Sequence, residues 1–107
     1  MIFAMDTVYF GLYVLDSEAA AIALCPGLEV AEGDWQFFAS DGSALEPDFS
    51  VPAYVDTKRL KYGNGIYSLR PGAGTMLQEM LHKVAVVHGL TEFQTAEDVK
   101  ALLPPNN

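Results

Sequence analysis

The amino-acid sequence predicts an α+β fold: a small, mostly antiparallel sheet with helices on one face, in the order β-α-β-β-β-α-α. Apolar residues repeat with a helical period over Thr75–Gly89, and short segments rich in Tyr, Val and Phe indicate strands. Asp41-Gly42 lies between two such segments and is typical of a hairpin, which makes neighbouring strands antiparallel. We therefore expect a two-layer domain over residues 1–103, followed by a frayed tail over 104–107.

The long helix is predicted from one stripe of apolar residues. At about 100° per residue these side chains fall in a single arc: Met76, Leu77, Met80, Leu81, Val84 and Val87. Thr75 followed by Gln78 has the spacing of a capping box, and Gly89 stands where a left-handed C-cap residue is common. The pattern indicates a helix that covers the core.

The first quarter of the chain predicts a strand followed by a helix. Thr7–Leu15 is apolar on both faces of a period-two pattern, so it is expected to be a central strand. Asp16, Ser17 and Glu18 are typical of a helix start, and Pro26-Gly27 ends the Ala-rich run that follows. Leu28–Ala31 fits a short strand or an extended linker, and the sequence does not decide between them.

The middle of the chain predicts the hairpin and then a long loop. The arms of the hairpin are Trp35–Ala39 and Ser43–Glu46, and Pro47 is expected to end the second because it has no N–H to donate. Residues 47–62 show no period. A loop of this length in a small domain is often functional.

The last predicted strand is Ile66–Arg70, and a helix capped by Thr95 completes the chain. That helix is expected to bury Ala96, Val99, Leu102 and Leu103 before Pro104-Pro105.

Charge is the most unusual bulk property of the sequence. The net charge is −8, and residues 1–57 contain ten acids without a single Lys or Arg. All six bases lie in residues 58–107, together with four acids. Such an acidic half repels nucleic acid and anionic membranes and attracts a basic protein surface. The simpler alternative is that the acids keep an apolar chain in solution.

The expected location is the cytoplasm. No apolar run approaches the roughly 20 residues needed to span a bilayer, and the N-terminus lacks the basic start of a secretory signal. The single Cys25 agrees with a reducing compartment.

Four groups of residues carry candidate chemistry, and each has a simpler structural explanation. Gly72–Thr75 could cradle a phosphate but lacks the lysine of a P-loop, so a connection is favoured. Glu79 with His82 is half of a di-metal motif whose second half is missing. His88 and Cys25 are read as packed residues, since neither has a recognisable catalytic neighbour. No catalytic residue, metal or cofactor is predicted.

Two further features favour contact with a macromolecule. Lys58, Arg59 and Lys61, close to Tyr54 and Tyr62, loosely resemble a nucleic-acid-binding loop, but the net charge opposes that interpretation. Aromatic residues are more numerous than a small core obviously needs, and such residues are enriched at interfaces.

The preferred functional hypothesis is a small, non-enzymatic protein-binding domain of the inhibitor, immunity or accessory-factor type. It would dock on a basic protein through acids at the predicted hairpin and its flanks: Glu32, Asp34, Asp41, Glu46 and Asp48. Secondary candidates are Tyr54, Arg59 and His88. The alternatives are a small-ligand or catalytic cleft near the Gly72–Thr75 turn and His88, and an acidic mimic of nucleic acid. No nucleic acid or membrane partner is expected, and the oligomeric state stays open.

Overall fold

The computed structural model of the chain describes residues 1–89 and 95–104. Across these residues it contains eight strands, four α-helices and one 3-10 turn. The strands are β1 (Ile2–Asp6), β2 (Gly11–Leu15), β3 (Trp35–Phe38), β4 (Ala44–Val51), β5 (Tyr54–Asp56), β6 (Lys61–Gly63), β7 (Ile66–Pro71) and β8 (Val86–His88). The helices are α1 (Glu18–Leu24), α2 (Gly27–Ala31), α3 (Leu77–Met80) and α4 (Ala96–Leu102), and the 3-10 turn is Leu81–Lys83.

Six strands form one sheet in the order β7-β4-β3-β1-β2-β8, while β5 and β6 pair with each other. Four neighbouring pairs in the large sheet are antiparallel, and β8 runs parallel to β2. The predicted α+β class with a mostly antiparallel sheet is confirmed. The predicted element order is wrong, because the described residues form eight strands instead of four, and most of the predicted long helix is not α-helical.

The core lies on both faces of this sheet. Phe3 and Met5 pack with Leu77, Leu81 and the α4 residues on one face, whereas the intervening Ala4 packs with α1 on the other. Since successive side chains of a strand point to opposite faces, helices cover the sheet from both sides. The predicted placement of all helices on one face is therefore wrong. The strand residues are apolar on both faces of the sheet, so helices must shield each face from water.

The predicted strand Thr7–Leu15 is wrong in its first half. Residues 7–10 form the turn of a β1–β2 hairpin, and only Gly11–Leu15 is the strand β2. The Asp6 carboxylate accepts hydrogen bonds from the N–H groups of Val8, at 2.7 Å, and Tyr9, at 3.3 Å. These bonds close a turn between β1 and β2 that brings Phe10 to a φ of 58°. The Phe10 side chain packs on the core, whereas Val8 and Tyr9 of the same turn are exposed.

The predicted helix over Thr75–Gly89 is wrong beyond its first turn. Only Leu77–Met80 is α-helical, and the segment ends as strand β8. The capping box does not form: Met76 is the N-cap, and the Leu77 N–H donates to the carbonyl of Gly42 at 2.8 Å. β-branched residues, which favour strands, cluster at its end. Leu77, Leu81 and Val87 are nevertheless buried as expected.

The predicted long loop over residues 47–62 is also wrong, since β4 continues through Pro47 to Val51. Pro47 lies opposite Leu69 of β7, whose N–H points away from β4 and donates to Glu18 Oε1 at 2.6 Å. In an antiparallel pair that exchanges no hydrogen bonds, the proline nitrogen faces the other neighbour. That neighbour, β3, pairs with β4 only as far as Leu45, so no hydrogen bond is lost.

The local signals at the ends of the remaining helices are largely confirmed. Ser17, rather than Asp16, caps α1, and Thr95 forms a capping box with Asp98 at α4. Leu28–Ala31, left undecided by the sequence, belongs to helix α2. Val99 and Leu103 of the last helix are buried, while Leu102 is exposed. The expected frayed tail is residues 104–107. Of these, only Pro104 is described, and residues 105–107 lie outside the described residues.

Between β4 and β7 the chain forms a separate two-stranded hairpin of β5 and β6. We call residues 51–66 the arm. A register shift between Phe49 and Val51 marks its start, and a bulge of this kind bends the strand that carries it. The principal dimensions of the molecule are 48 × 24 × 21 Å. In the described part of the chain, no helix is long and apolar enough to cross a membrane.

Candidate protein-binding surfaces

An open groove lies where the chain leaves β7 and passes over β3 and β4. It has a volume of about 200 Å³. Its lining combines large side chains of β3 and β4 with four small residues: Ala44, Gly72, Ala73 and Gly74. Gly72 donates its N–H to the carbonyl of Ala44 at 2.9 Å, and a Cβ on Gly72 would come within 3.3 Å of the Glu46 side chain. The glycines therefore let this connection lie directly against β4. We call this feature the β4 groove.

The acids of β4 give the groove its charge. Glu46 lines the groove, and Asp48 follows two residues later on the same side of the strand. Arg70 of β7 lies opposite Glu46 and contacts both carboxylates, at 2.8 Å and 4.0 Å. All three side chains are about half exposed. The rim therefore carries two acids and one base, held in a fixed arrangement by the register of two strands.

The sequence did not place Arg70 in the candidate site. It lies 22 or more residues after the two acids, and only the pairing of β4 with β7 brings them together. The signal available in the sequence was the alternation within Ile66–Arg70, which puts Arg70 on the face opposite Tyr67 and Leu69.

The other three predicted acids lie at the two ends of β3. Asp41 is in the β3–β4 turn, where the N–H and the hydroxyl of Ser43 donate to its carboxylate at 2.9 Å and 2.6 Å. These hydrogen bonds lower the pKa of Asp41, the hydroxyl bond being the larger cause. Glu32 and Asp34 precede β3 at its opposite end. The structure thus brings Glu46 and Asp48 together through their shared contact with Arg70.

The alternative cleft between the Gly72–Thr75 turn and His88 is not assembled. His88 is on β8, three strands away from β3, which corresponds to about 14 Å at the usual strand spacing. Its ring stacks on Tyr13 at 4.6 Å, and Tyr13 packs on the α1 face of the sheet. The β4 groove opens on the other face, on the side of Ala44 and Glu46.

His88 instead belongs to a row of rings that crosses the sheet. Tyr13 lies edge-on to Trp35, with ring centroids 5.5 Å apart, and the Trp35 indole N–H donates to Glu29 Oε1 at 3.0 Å. The row explains part of the aromatic excess as packing on the α1 side.

The arm carries six large, exposed apolar side chains: Val51, Tyr54, Val55, Leu60, Tyr62 and Ile66. Two of the secondary candidates, Tyr54 and Arg59, are both on the arm. Three of the six bases of the chain are here too, Lys58, Arg59 and Lys61, beside a single acid, Asp56. The arm therefore combines apolar surface with positive charge.

The tip of the arm is built by Asp56 and ends in an unusual leucine. The Asp56 carboxylate accepts the N–H groups of Lys58 and Arg59, each at 3.2 Å, and closes the turn. Leu60 follows with a φ of 54° and is 91% exposed. A residue with a side chain is disfavoured in this left-handed region, where glycine or asparagine is usual. Phe10 has a similar φ, but its side chain is packed on the core.

The base of the arm is fixed to helix α2. The Leu28 N–H donates to Asn64 Oδ1 at 3.2 Å, and Gly27 lies against the backbone carbonyl of Asn64. Gly65, with a φ of 65°, lies against the backbone of residues 51–53, so a side chain there would clash. These contacts hold the arm at a defined angle to the sheet.

A second groove, of about 390 Å³, runs between α1 and the start of β7. Its lining includes Ile22, Pro26 and Ile66, and no acid or base lines it. This second groove is therefore concave but has no charged side chain in its lining. Beside it, Cys25 is fully buried, and burial, with a smaller effect of Glu29, raises the pKa of its thiol to about 12.

Within residues 1–89 and 95–104, no three His, Cys, Asp or Glu side chains lie close enough to hold a metal ion. Comparisons with protein-family models, with curated proteins and with solved structures find no match to this chain. The geometry of the two charged surfaces, the β4 groove and the arm, is therefore the basis for a functional proposal.

Proposed function

We propose that this chain is a non-enzymatic protein-binding domain of the inhibitor, immunity or accessory-factor type. It docks on a basic protein partner, and the partner contacts the β4 groove. The observation that carries the proposal is the groove itself, which Glu46 lines together with small residues. Asp48 shares the contact of Glu46 with Arg70.

The two parts of the groove have different physical roles. The wall of Ala and Gly residues leaves room for a side chain or an extended segment of the partner, and contact there removes apolar surface from water. The acids at the rim attract a basic partner, which mainly raises the association rate and makes it fall with added salt. Arg70 holds Glu46 and Asp48 in place, so less side-chain entropy is lost when they are engaged.

The net charge of the chain extends this attraction beyond the groove. With 14 acids and six bases the field around the molecule is negative, and Glu32, Asp34 and Asp41 contribute to it without lining the groove. In this proposal they steer the partner from a distance, whereas Glu46 and Asp48 contact it.

The test is capture of partners from the native host on the immobilised protein, analysed by mass spectrometry. The Glu46→Gln/Asp48→Asn variant is compared with the wild type and with Asp16→Asn/Glu97→Gln, which removes the same charge outside the groove. We expect a basic protein that the wild type and the control variant retain, that the groove variant loses, and that salt releases. Equal retention by the groove variant would refute the groove as the binding site.

A further inference from the structure

We propose that the arm of one molecule docks in the β4 groove of a second copy of this chain, so that the protein associates with itself. This inference rests on the proposed role of the β4 groove and adds the identity of one basic partner. The occupant is the tip of the arm, with Leu60 inserted and Lys58, Arg59 and Lys61 beside the acids of the rim.

Charge complementarity within the chain supports this choice. Residues 51–66 carry three bases and one acid, while the rest of the chain carries three bases and 13 acids. The arm therefore has a net charge of +2 on a body of −10. A basic arm is attracted to the acidic body of another copy. On that body, Glu46 lines a groove, and Asp48 shares its contact with Arg70.

The conformation of Leu60 is the second observation. Its left-handed backbone is unfavourable for a side chain, and its side chain gains no burial in the monomer to compensate. Phe10 shows the ordinary case, in which core contacts offset the same strain. Leu60 gains the missing contacts once the tip enters the β4 groove. The groove, of about 200 Å³, has room for a leucine side chain.

The layout of the molecule makes the contact intermolecular. The groove adjoins Leu45 and Pro71 at one end of the β4–β7 pair, and the arm begins at Val51 and Ile66 at the other end. On β4 the lining of the groove ends at Pro47, four residues or about 13 Å before Val51, and the arm extends further away. A tip therefore reaches only the groove of a neighbour, either reciprocally in a two-fold dimer or head-to-tail in a longer assembly.

The test measures self-association by light scattering and sedimentation, from about 10 µM to about 1 mM, the range of weak specific interfaces. We expect the wild-type mass to rise with concentration and to return to the monomer at high salt. Leu60→Gly should weaken the association at least fivefold while the variant stays folded. Tyr9→Ala, which removes another exposed apolar side chain, in the β1–β2 turn, should leave the association unchanged.

Charge reversal identifies the two surfaces. Lys58→Glu/Arg59→Glu gives an acidic arm, and Glu46→Lys/Asp48→Lys gives a basic groove, so each variant alone should be monomeric. Mixing the two should restore association, because the acidic arm of the first meets the basic groove of the second. Melting temperatures confirm that both variants are folded.

A wild type that stays monomeric at every concentration would overturn the inference. So would association that Leu60→Gly leaves intact, or mixed variants that do not associate. These results would overturn self-association without overturning the proposed function. In the capture experiment, loss of a host protein from the Glu46→Gln/Asp48→Asn variant would still support the β4 groove as a binding site.

Discussion

The Tyr67 hydroxyl donates a hydrogen bond of 2.7 Å to the backbone carbonyl of Cys25, 42 residues earlier in the chain. Cys25 is the C-cap of α1, and carbonyls at the end of a helix lack a partner within the helix. Both residues are buried, so water does not satisfy this carbonyl. The bond thus ties α1 to β7, close to the base of the arm.

Removing this hydroxyl should destabilise the fold. Tyr67→Phe leaves the Cys25 carbonyl buried without a donor, and we expect a loss of about 1–2 kcal/mol in the free energy of unfolding. Urea titration measures it, with an unchanged m-value. Tyr62→Phe is the matched control, because Tyr62 is exposed on the arm and should change stability by less than about 0.5 kcal/mol. Equal effects of the two variants would contradict the role of the bond.

Burial of Cys25 predicts a loss of stability at alkaline pH. Its thiol has a folded-state pKa of about 12, raised from 9.0, so the unfolded chain releases this proton first as the pH rises. The contribution of the protonated Cys25 thiol to the free energy of unfolding is complete below pH 9, and it is lost between about pH 9 and 12. Tyr67, whose pKa burial also raises, acts in the same direction.

The measurement compares wild type with Cys25→Ala by urea unfolding at neutral pH and at about pH 10.5. Alanine has no proton to release, so the stability of the wild type relative to the variant should decrease at the higher pH. A constant difference would show that the thiol is not protected. The same burial predicts slow reaction of Cys25 with thiol reagents until the protein unfolds.

Leu81 tests whether the 3-10 turn covers the core. It is buried among Phe3, Leu12 and Val99, and Leu81→Ala should cost about 2–5 kcal/mol, the range for an emptied leucine site. Leu102→Ala, at a position exposed on α4, should cost less than about 1 kcal/mol. A loss below about 0.5 kcal/mol for Leu81→Ala would mean that this face is open.

Leu81 also illustrates what the sequence predicts and what it does not. Its burial followed from the apolar stripe, but the helix assigned to Thr75–Gly89 did not form. The end of the segment pairs in parallel with Gly11–Tyr13, and Ala85 donates to the carbonyl of Phe10 at 2.9 Å. These partners lie more than 70 residues away in the chain, so local periodicity could not reveal them.

Several signals contained within a few residues were confirmed, although the Thr75–Gln78 capping box did not form and Pro47 did not end its strand. Ser17 at α1, Thr95 with Asp98 at α4 and the Asp41-Gly42 turn all act through side chains next to the backbone they satisfy. The candidate surfaces divide in the same way. Tyr54 and Arg59 lie close in sequence and share the arm, whereas the contact of Arg70 with Glu46 depends on the pairing of β4 with β7.

The arm should not bind nucleic acid, although it carries Tyr54, Tyr62 and three bases. A body charge of −10 opposes approach to phosphates, and the two or three contacts available release few counterions. We expect no gel retardation of a DNA duplex or of single-stranded RNA at physiological salt. Tight binding that weakens steeply with salt would contradict this and would assign the arm to nucleic acid.

Phe10 and Leu60, the two non-glycine residues with a positive φ in the described part of the chain, allow a paired test of strain against burial. Glycine relieves the strain of about 1–2 kcal/mol at either position but loses about 0.5–1 kcal/mol through the flexibility of the unfolded chain. Leu60→Gly removes no buried contact, so the variant should be as stable as the wild type or more stable by up to about 1 kcal/mol. Phe10→Gly also removes a ring packed on the core and should be less stable by about 1–3 kcal/mol. Thermal and urea unfolding measure both, and Leu60→Ala, which keeps the strain, should lack the gain. If Leu60→Gly destabilised the protein as much as Phe10→Gly, the leucine would have a structural role in the monomer, and its exposure at the tip would no longer indicate a binding contact.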